Sequence, residues 1–241
     1  MIKIRKNNER GNSYIGWLDS YHTFSFGNYY DPKQMGFGKL RVLNDDFVKG
    51  GGGFGSHSHK DMEIITYVID GELKHQDNMG NSSILKTNDI QKMTAGTGII
   101  HSEYNNSEKN DLHFIQIWIL PDKTGYKPKY DQISLDKNDF SGKIKLIASG
   151  NKSTDKNTLK INQDVNLFLS VLEKEEINYK IEPDHKIWIQ MIKGILNVNG
   201  NILQNGDGAG IANEDVLFLK ADKFAEFLLF DLNGQGDINE H

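Results

Sequence analysis

The sequence predicts an all-β fold, a sandwich or a barrel. Turn dipeptides that contain glycine recur along the chain and bracket short apolar runs rich in Ile, Val and aromatic residues. The turns include Asp70-Gly71, Lys193-Gly194 and Asn199-Gly200, and the apolar runs include residues 63–69, 113–120, 187–192 and 226–232. Residues 167–176 are compatible with one short helix and equally with a strand.

The two halves of the chain have similar patterns. Each contains an apolar strand, a glycine turn, a second strand and a Leu-x-x-x-Asp turn, over residues 67–89 and again over residues 190–207. Repeated patterning indicates repeated architecture, although a meander of strands also produces such strings. Residues 122–142 show little periodicity and contain the connection. The predicted domains are residues 1–130 and 143–241, with a linker at 131–142.

Composition excludes several classes of function. The 241 residues are 37% hydrophobic and 25% charged, and the net charge is −5. No long run of Lys or Arg occurs, which argues against direct binding of nucleic acid and against a polybasic membrane anchor. The apolar stretches are only as long as strands, and the first residues lack the apolar segment of a secretory signal. We therefore expect a cytoplasmic protein without a membrane span.

Two short clusters are candidate metal ligands, His57-Ser58-His59 and His101-Ser102-Glu103. On a strand, side chains at i and i+2 point to the same face. Two such strands that face each other inside a barrel would present three imidazoles and one carboxylate to one point. Because the chain has no cysteine, any metal must be held by N and O donors, which suit Fe, Mn, Ni, Co, Cu or Zn.

A second carboxylate competes for the metal. Glu63 follows His59 by four residues, and a site with both Glu63 and Glu103 in contact with the ion would be crowded and too anionic. One of them is therefore expected to bind the metal, and the other to orient a ligand imidazole through a hydrogen bond.

The second half has no equivalent ligand set. When the halves are aligned on their glycine and aspartate turns, Lys180 and Glu182 replace His57 and His59. Leu219 and Ala221 replace the pair His101 and Glu103. The sequence therefore predicts one metal ion per chain, in the first half.

Aromatic residues are concentrated near the first cluster. Phe24, Phe26, Phe37 and Phe54 either line a pocket for a flat aromatic substrate or belong to an ordinary barrel core. His113 and Trp118 lie on a predicted strand whose alternate residues face the interior, so that strand also contributes to the cavity.

Together these motifs resemble the pirin family of the cupin superfamily. The strongest matches are YHTFSF at residues 21–26, GSHSHKDME at 55–63, MTAGTGIIHSEYN at 93–105 and QIWILP at 116–121. The resemblance implies a bicupin, in which two antiparallel, jelly-roll-type β-barrels pack face to face and only the N-terminal barrel binds metal. It also implies the ligand set His57, His59, His101 and Glu103, and it leaves Glu63 outside that set.

The resemblance, which is strongest to bacterial members described as quercetin dioxygenases, implies an oxidative enzyme. The substrates would be a flavonol such as quercetin and O2, with Glu103 as the base and ring opening as the outcome. Iron is the expected metal, with Mn, Co, Ni, Cu or Zn as alternatives, and a monomer is expected. The alternative is a metal-dependent regulatory or interaction protein without turnover. A metal-dependent isomerase or hydrolase is a third option.

Overall fold

The computed structural model describes residues 1–150 and 156–234. The prediction of an all-β fold is confirmed, because the described residues form four β-sheets and two short helical turns. The helical turns are a 3-10 helix at Asn7–Glu9 and α1 at Lys137–Phe140. Within the described ranges, no helix combines the length and apolar character needed to cross a membrane.

The first barrel is made of two antiparallel sheets. Its large sheet contains, in spatial order, β12 (Lys129–Ser134), β9 (Asp89–Thr94), β6 (Glu63–Asp70), β11 (Leu112–Ile119), β4 (Leu40–Val48), β3 (Leu18–His22) and β2 (Gly11–Tyr14). Its small sheet contains β5 (Gly53–His59), β10 (Ile99–Asn105), β7 (Glu72–Asp77) and β8 (Ser82–Lys86).

The second barrel repeats this plan. Its large sheet contains, in spatial order, β1 (Ile2–Arg5), β20 (Gly208–Ile211), β17 (His185–Gly194), β22 (Phe224–Asn233), β15 (Val165–Glu173), β13 (Ile144–Ser149) and β14 (Leu159–Lys160). Its small sheet contains β16 (Glu176–Lys180), β21 (Val216–Lys220), β18 (Leu196–Val198) and β19 (Asn201–Leu203). The β13–β14 pair is parallel and the others are antiparallel.

Two elements depart from the boundaries predicted from sequence. Strand β1 pairs with β20, with Ile2 opposite Ile211 and Ile4 opposite Ala209, so the first residues of the chain complete the sheet of the second barrel. Strand β12 crosses residue 130 and pairs with β9, so part of the predicted linker belongs to the first barrel. The segment that was compatible with a helix is largely strand β15, which pairs with both β13 and β22.

The two large sheets pack against each other across the largest apolar cluster. Leu43, Ile65 and Ile117 from the first barrel contact a cluster that includes Leu169 and Phe230 from the second, and each is at most 1% exposed. Strands of a sheet that is covered on both faces bury both sets of alternating side chains. Strand β6, near the centre of its sheet, therefore buries the side chains on both faces over most of its length.

The interiors of the two barrels differ in chemistry. A continuous apolar cluster fills the second barrel, and it includes Leu219 and Ala221 at 0% and 1% exposure. The first barrel contains two smaller apolar clusters, built around Phe114 and Ile64, with buried polar residues in addition. The second interior is thus packed like an ordinary core, as the lost ligand set predicts.

A tight turn precedes strand β10 and allows a test of the fold. Gly96 has a φ of +47°, and a Cβ there would lie 1.9 Å from the carbonyl oxygen of Tyr126. Gly96→Ala is expected to lower the free energy of unfolding by about 3 kcal/mol, from steric clash and a strained φ. Gly80→Ala, also at positive φ but with no atom within 4 Å of the added carbon, should cost about 1 kcal/mol. Urea denaturation of both variants measures the difference, and equal losses would contradict it.

Candidate metal centre and its cavity

Strand pairing brings the two predicted clusters together. Strands β5 and β10 are adjacent in the small sheet, with His101 opposite His57 and Ile99 opposite His59. The two strands are thus neighbours in one sheet rather than facing strands across the barrel. The candidate ligand atoms of His57, His59 and His101 all lie within 4.8 Å of one another. The Nε2 atoms of His57 and His101 are 3.0 Å apart.

This geometry fits a metal ion. The Nδ1 of His57 donates to the carbonyl oxygen of Gly55 at 2.8 Å, which leaves the lone pair of the neutral ring on Nε2. Two imidazole nitrogens bound about 2.1 Å from one ion at a right angle are about 3.0 Å apart, which is the observed separation. The Nδ1 of His101 is buried and has no hydrogen-bond partner among the described residues. The donor set therefore suits one divalent transition metal.

The protonation states favour metal binding as well. Burial, followed by the nearby His57 and His75, lowers the pKa of His101 to about 3. Burial, followed by His101 and His57, lowers the pKa of His59 to about 4. Both rings are therefore neutral near pH 7, which is the form that binds a metal.

These shifts predict an acid-sensitive metal-free protein. In the unfolded chain a histidine takes up a proton near its ordinary pKa of about 6.5, but the native His59 and His101 do so only near 4 and 3. The unfolded state therefore binds more protons in this window, and stability falls as the pH drops from about 6.5 towards 3. His101→Gln removes one of these groups and should flatten the fall. Urea midpoints of both metal-free proteins, measured at pH 7, 6, 5 and 4, check this, and equal slopes would contradict it.

Glu103 is held by amide and hydroxyl donors inside the barrel. The side chain is 1% exposed. Its Oε1 accepts hydrogen bonds from Gln91 Nε2 at 2.5 Å and Thr66 Oγ1 at 3.4 Å, and its Oε2 accepts one from Gln116 Nε2 at 2.9 Å. The donors come from three neighbouring strands of the large sheet, so the carboxylate joins the two sheets of the first barrel.

The structure assigns Glu103 to a second cluster that shares one histidine with the first. The candidate ligand atoms of His75, His101 and Glu103 lie within 4.8 Å of one another. Sequence reasoning missed His75, which is fully buried on β7 directly opposite Glu103. The signal was the alternation of Leu73, His75 and Asp77, which points inward along one face of a short strand.

Glu63 lies away from both clusters. Its carboxylate accepts hydrogen bonds from Thr94 Oγ1 and Asn162 Nδ2, each at 3.0 Å, and Lys92 Nζ is 3.9 Å away. Asn162 belongs to the second half of the chain, so Glu63 helps to join the two barrels. The expectation that the other carboxylate hydrogen-bonds to a ligand imidazole does not hold for Glu63, because it points to the opposite face of β6 from Thr66.

A cavity of about 560 Å³ lies beside the imidazoles. Three of the predicted aromatic residues line it, namely Phe26, Phe54 and Trp118, and the ring of Trp118 packs edge-on against His59 at 4.9 Å. Trp17 is a wall residue that the sequence reasoning missed, and its ring contacts Phe54 edge-on at 5.1 Å. One side of the cavity is therefore aromatic.

The other three predicted pocket residues lie elsewhere. Phe24 and Phe37 pack on Trp188 of the second barrel, with ring centroids 4.9 and 5.4 Å away. His113 points out of the barrel, bonds to Asp45 at 2.6 Å and lies in the groove between the barrels. The strand β11 carries both Trp118 and His113, but residues of opposite parity face opposite sides of the sheet.

Two face-to-face barrels, one of them with a histidine-rich centre, define a bicupin metalloprotein. The family model described as Pirin matches residues 3–119, and the model described as Quercetinase C-terminal cupin domain matches residues 146–232. The chain belongs to the pirin family, as its motifs indicated.

Similar proteins extend over nearly the whole chain. The protein named quercetin 2,3-dioxygenase from Escherichia coli (strain K12) is 46% identical over 96% of this chain and 99% of its own length. The crystal structure of YhhW from Escherichia coli covers 100% of both chains with 45% identity and a TM-score of 0.92. A structure of the bacterial pirin YhhW in complex with nickel(II) covers 97% of this chain and 99% of that chain, with 45% identity and a TM-score of 0.91.

Proposed function

We propose that this protein is a metal-dependent dioxygenase that opens a ring of a flavonol such as quercetin with O2. The observation that carries the proposal is a cluster of three imidazoles, two of which, His57 and His59, line a cavity with an aromatic side. The 46% identity to a protein named quercetin 2,3-dioxygenase supports it.

In this proposal His57, His59, His101 and Glu103 hold one divalent metal ion. When bound, such an ion supplies Lewis acidity to a flavonol hydroxyl and a redox path to O2. Iron was the expectation from sequence, and the nickel(II) complex of the similar Escherichia coli protein makes nickel an equal first candidate.

Glu103 is the proposed proton acceptor. Its carboxylate borders the cavity and is oriented by Gln91 and Gln116, so an oxygen is held ready to take the proton of a flavonol hydroxyl. The rings of Phe26, Phe54 and Trp118 would contact the faces and edges of a flat substrate and exclude water from it.

The cavity weighs against the alternative of a regulatory protein without turnover. Such a protein needs no space for a small molecule beside its metal, whereas about 560 Å³ borders the imidazoles here. Ligand pockets in proteins typically measure about 300–1,000 Å³, so a flavonol-sized molecule is accommodated.

The test is turnover with defined metals. Metal-free protein is supplied in air with Fe, Mn, Co, Ni, Cu or Zn, and quercetin absorbance and O2 consumption are followed together. We expect a redox-active metal to give equimolar loss of both, and zinc to give none. The proposal fails if no metal raises the rate above that of the His101→Ala protein.

A further inference from the structure

One wall of the cavity is polar and lies on strands β3 and β4. Ser20, His22, Asn44 and Asp46 all line the cavity, and each is only 2–3% exposed. They face the barrel interior next to apolar residues such as Leu18. Polar side chains are rarely placed in such a position without hydrogen-bond partners.

Two of these side chains are incompletely hydrogen-bonded. The Asn44 amide oxygen faces the His22 Nδ1 at 2.8 Å, and the Ser20 hydroxyl donates to Asp46 Oδ1. These bonds use one oxygen of each side chain, and both residues line the cavity, so the Asn44 amide nitrogen and the second Asp46 oxygen are left for a ligand. A hydrogen bond from a ligand to either group contributes about 0.5–1.5 kcal/mol.

Asp46 and Asn44 together can bind the hydroxyl groups of a ligand. Burial raises the pKa of Asp46 to about 7, and the nearby charges of Asp45 and Glu103 add to the rise while the Ser20 hydrogen bond opposes it. In either protonation state a carboxyl oxygen of Asp46 accepts a hydrogen bond from a hydroxyl group. Asn44 beside it adds an amide donor, so the pair matches hydroxyl groups.

The polar wall begins at the candidate metal centre and leads away from it. Gln116, whose amide binds Glu103, lies directly opposite Asn44, and Asn44 lies directly opposite His22. Neighbouring strands are about 4.8 Å apart, so this row extends about 10 Å from β11 to β3. A ligand held at the imidazoles would therefore reach Asn44 with its remote end.

We propose that Asn44 and Asp46 form a subsite that hydrogen-bonds the hydroxyl groups on the part of the flavonol remote from the metal. The inference rests on the proposed function, and it narrows the substrate class to flavonols that carry additional ring hydroxyls. Ser20 and His22 are positioning residues, since they orient Asp46 and Asn44.

The experiment compares two flavonols that share the metal-binding end. Quercetin carries further ring hydroxyls, whereas 3-hydroxyflavone has none. Binding of each to nickel-loaded protein is measured under nitrogen by quenching of tryptophan fluorescence, for wild type and for Asn44→Leu, Asp46→Leu and Asp46→Asn. Asp70→Asn, an exposed carboxyl on β6, is the matched control. Metal content and cooperative unfolding confirm that each variant is folded.

We expect wild type and Asp70→Asn to bind quercetin at least about tenfold more tightly than 3-hydroxyflavone, because one to two additional hydrogen bonds contribute about that much to the affinity. Each leucine variant should lose about tenfold in quercetin affinity but none for 3-hydroxyflavone, and Asp46→Asn should keep most of the preference. The subsite is overturned if wild type binds the two flavonols with equal affinity, a result that does not depend on whether the leucine variants fold. It is also overturned if both leucine variants keep the wild-type preference for quercetin. If metal-loaded wild type binds neither flavonol, the proposed function fails together with the subsite.

Discussion

Replacement of His101 by alanine is expected to leave the protein without bound metal and without oxygenase activity. His101 belongs to both clusters of candidate ligands, is 2% exposed, and has its Nε2 3.0 Å from that of His57. Loss of a group that only orients a ligand already costs about 10–100-fold in metal affinity, so loss of a ligand should cost more than about 100-fold. Metal content after dialysis and O2 consumption with quercetin measure the two effects.

His113→Ala is the matched control for this experiment. His113 is another imidazole of the first barrel, but it is only half-buried, and it bonds to Asp45 and stacks on Phe47 in the groove between the barrels. Its replacement should cost about 1–3 kcal/mol of stability and leave one metal per chain. Stoichiometric metal in the His101→Ala protein, or its loss from His113→Ala alone, would place the centre elsewhere.

The candidate ligands could be predicted because their spacing is local. The i, i+2 pairs in β5 and β10 need only an extended backbone to share a face, and the register of the two strands then brings His101 opposite His57. The pairing itself is a long-range property. Sequence therefore suggested two facing strands, where the structure has two neighbours in one sheet.

The sequence could not predict which face of the large sheet of the first barrel points into the barrel interior. Strands β6 and β11 are covered on one side by the barrel interior and on the other by the second barrel, so apolar residues occupy both faces. Without alternation between polar and apolar residues, parity alone does not say which side is the interior. This is why Glu63 and His113 were assigned to the metal site or its cavity.

The aromatic residues illustrate a second limit. Phe24 and Phe37 are aromatic, as residues that line a pocket often are. They nevertheless pack on Trp188, which lies more than 150 residues further along the chain. His75 was missed for a different reason. Its alternation with Leu73 and Asp77 indicates an inward-pointing side chain, but a single histidine on a strand does not by itself indicate a metal ligand. The positions of the two phenylalanines and of His75 are fixed by contacts between segments that are distant in sequence.

Glu103 and Glu63 are the two candidate carboxylate ligands in the sequence, and replacing each with glutamine should have very different effects on activity and metal binding. Glu103→Gln removes the negative ligand and the proton acceptor and keeps the size of the side chain. Its amide nitrogen replaces one of the two oxygens that accept from Gln91 and Gln116, so one of these hydrogen bonds is lost. We expect kcat with quercetin to fall about 10²–10⁴-fold, the usual contribution of a general base, and metal affinity to fall as well. Steady-state kinetics at saturating metal separate the two effects.

Glu63→Gln should instead leave metal content and kcat within about twofold of wild type, because its contacts join the barrels and do not reach the imidazoles. The amide can still bond to Thr94 and Asn162, but the buried Lys92, 2% exposed, loses a carboxylate at 3.9 Å. Lys92 keeps Asp131 at 3.6 Å, so the loss of stability should be about 2 kcal/mol, less than for a buried charge left with no partner. Urea denaturation measures this cost. If Glu63→Gln abolished metal binding while Glu103→Gln retained it, the roles of the two carboxylates would be reversed.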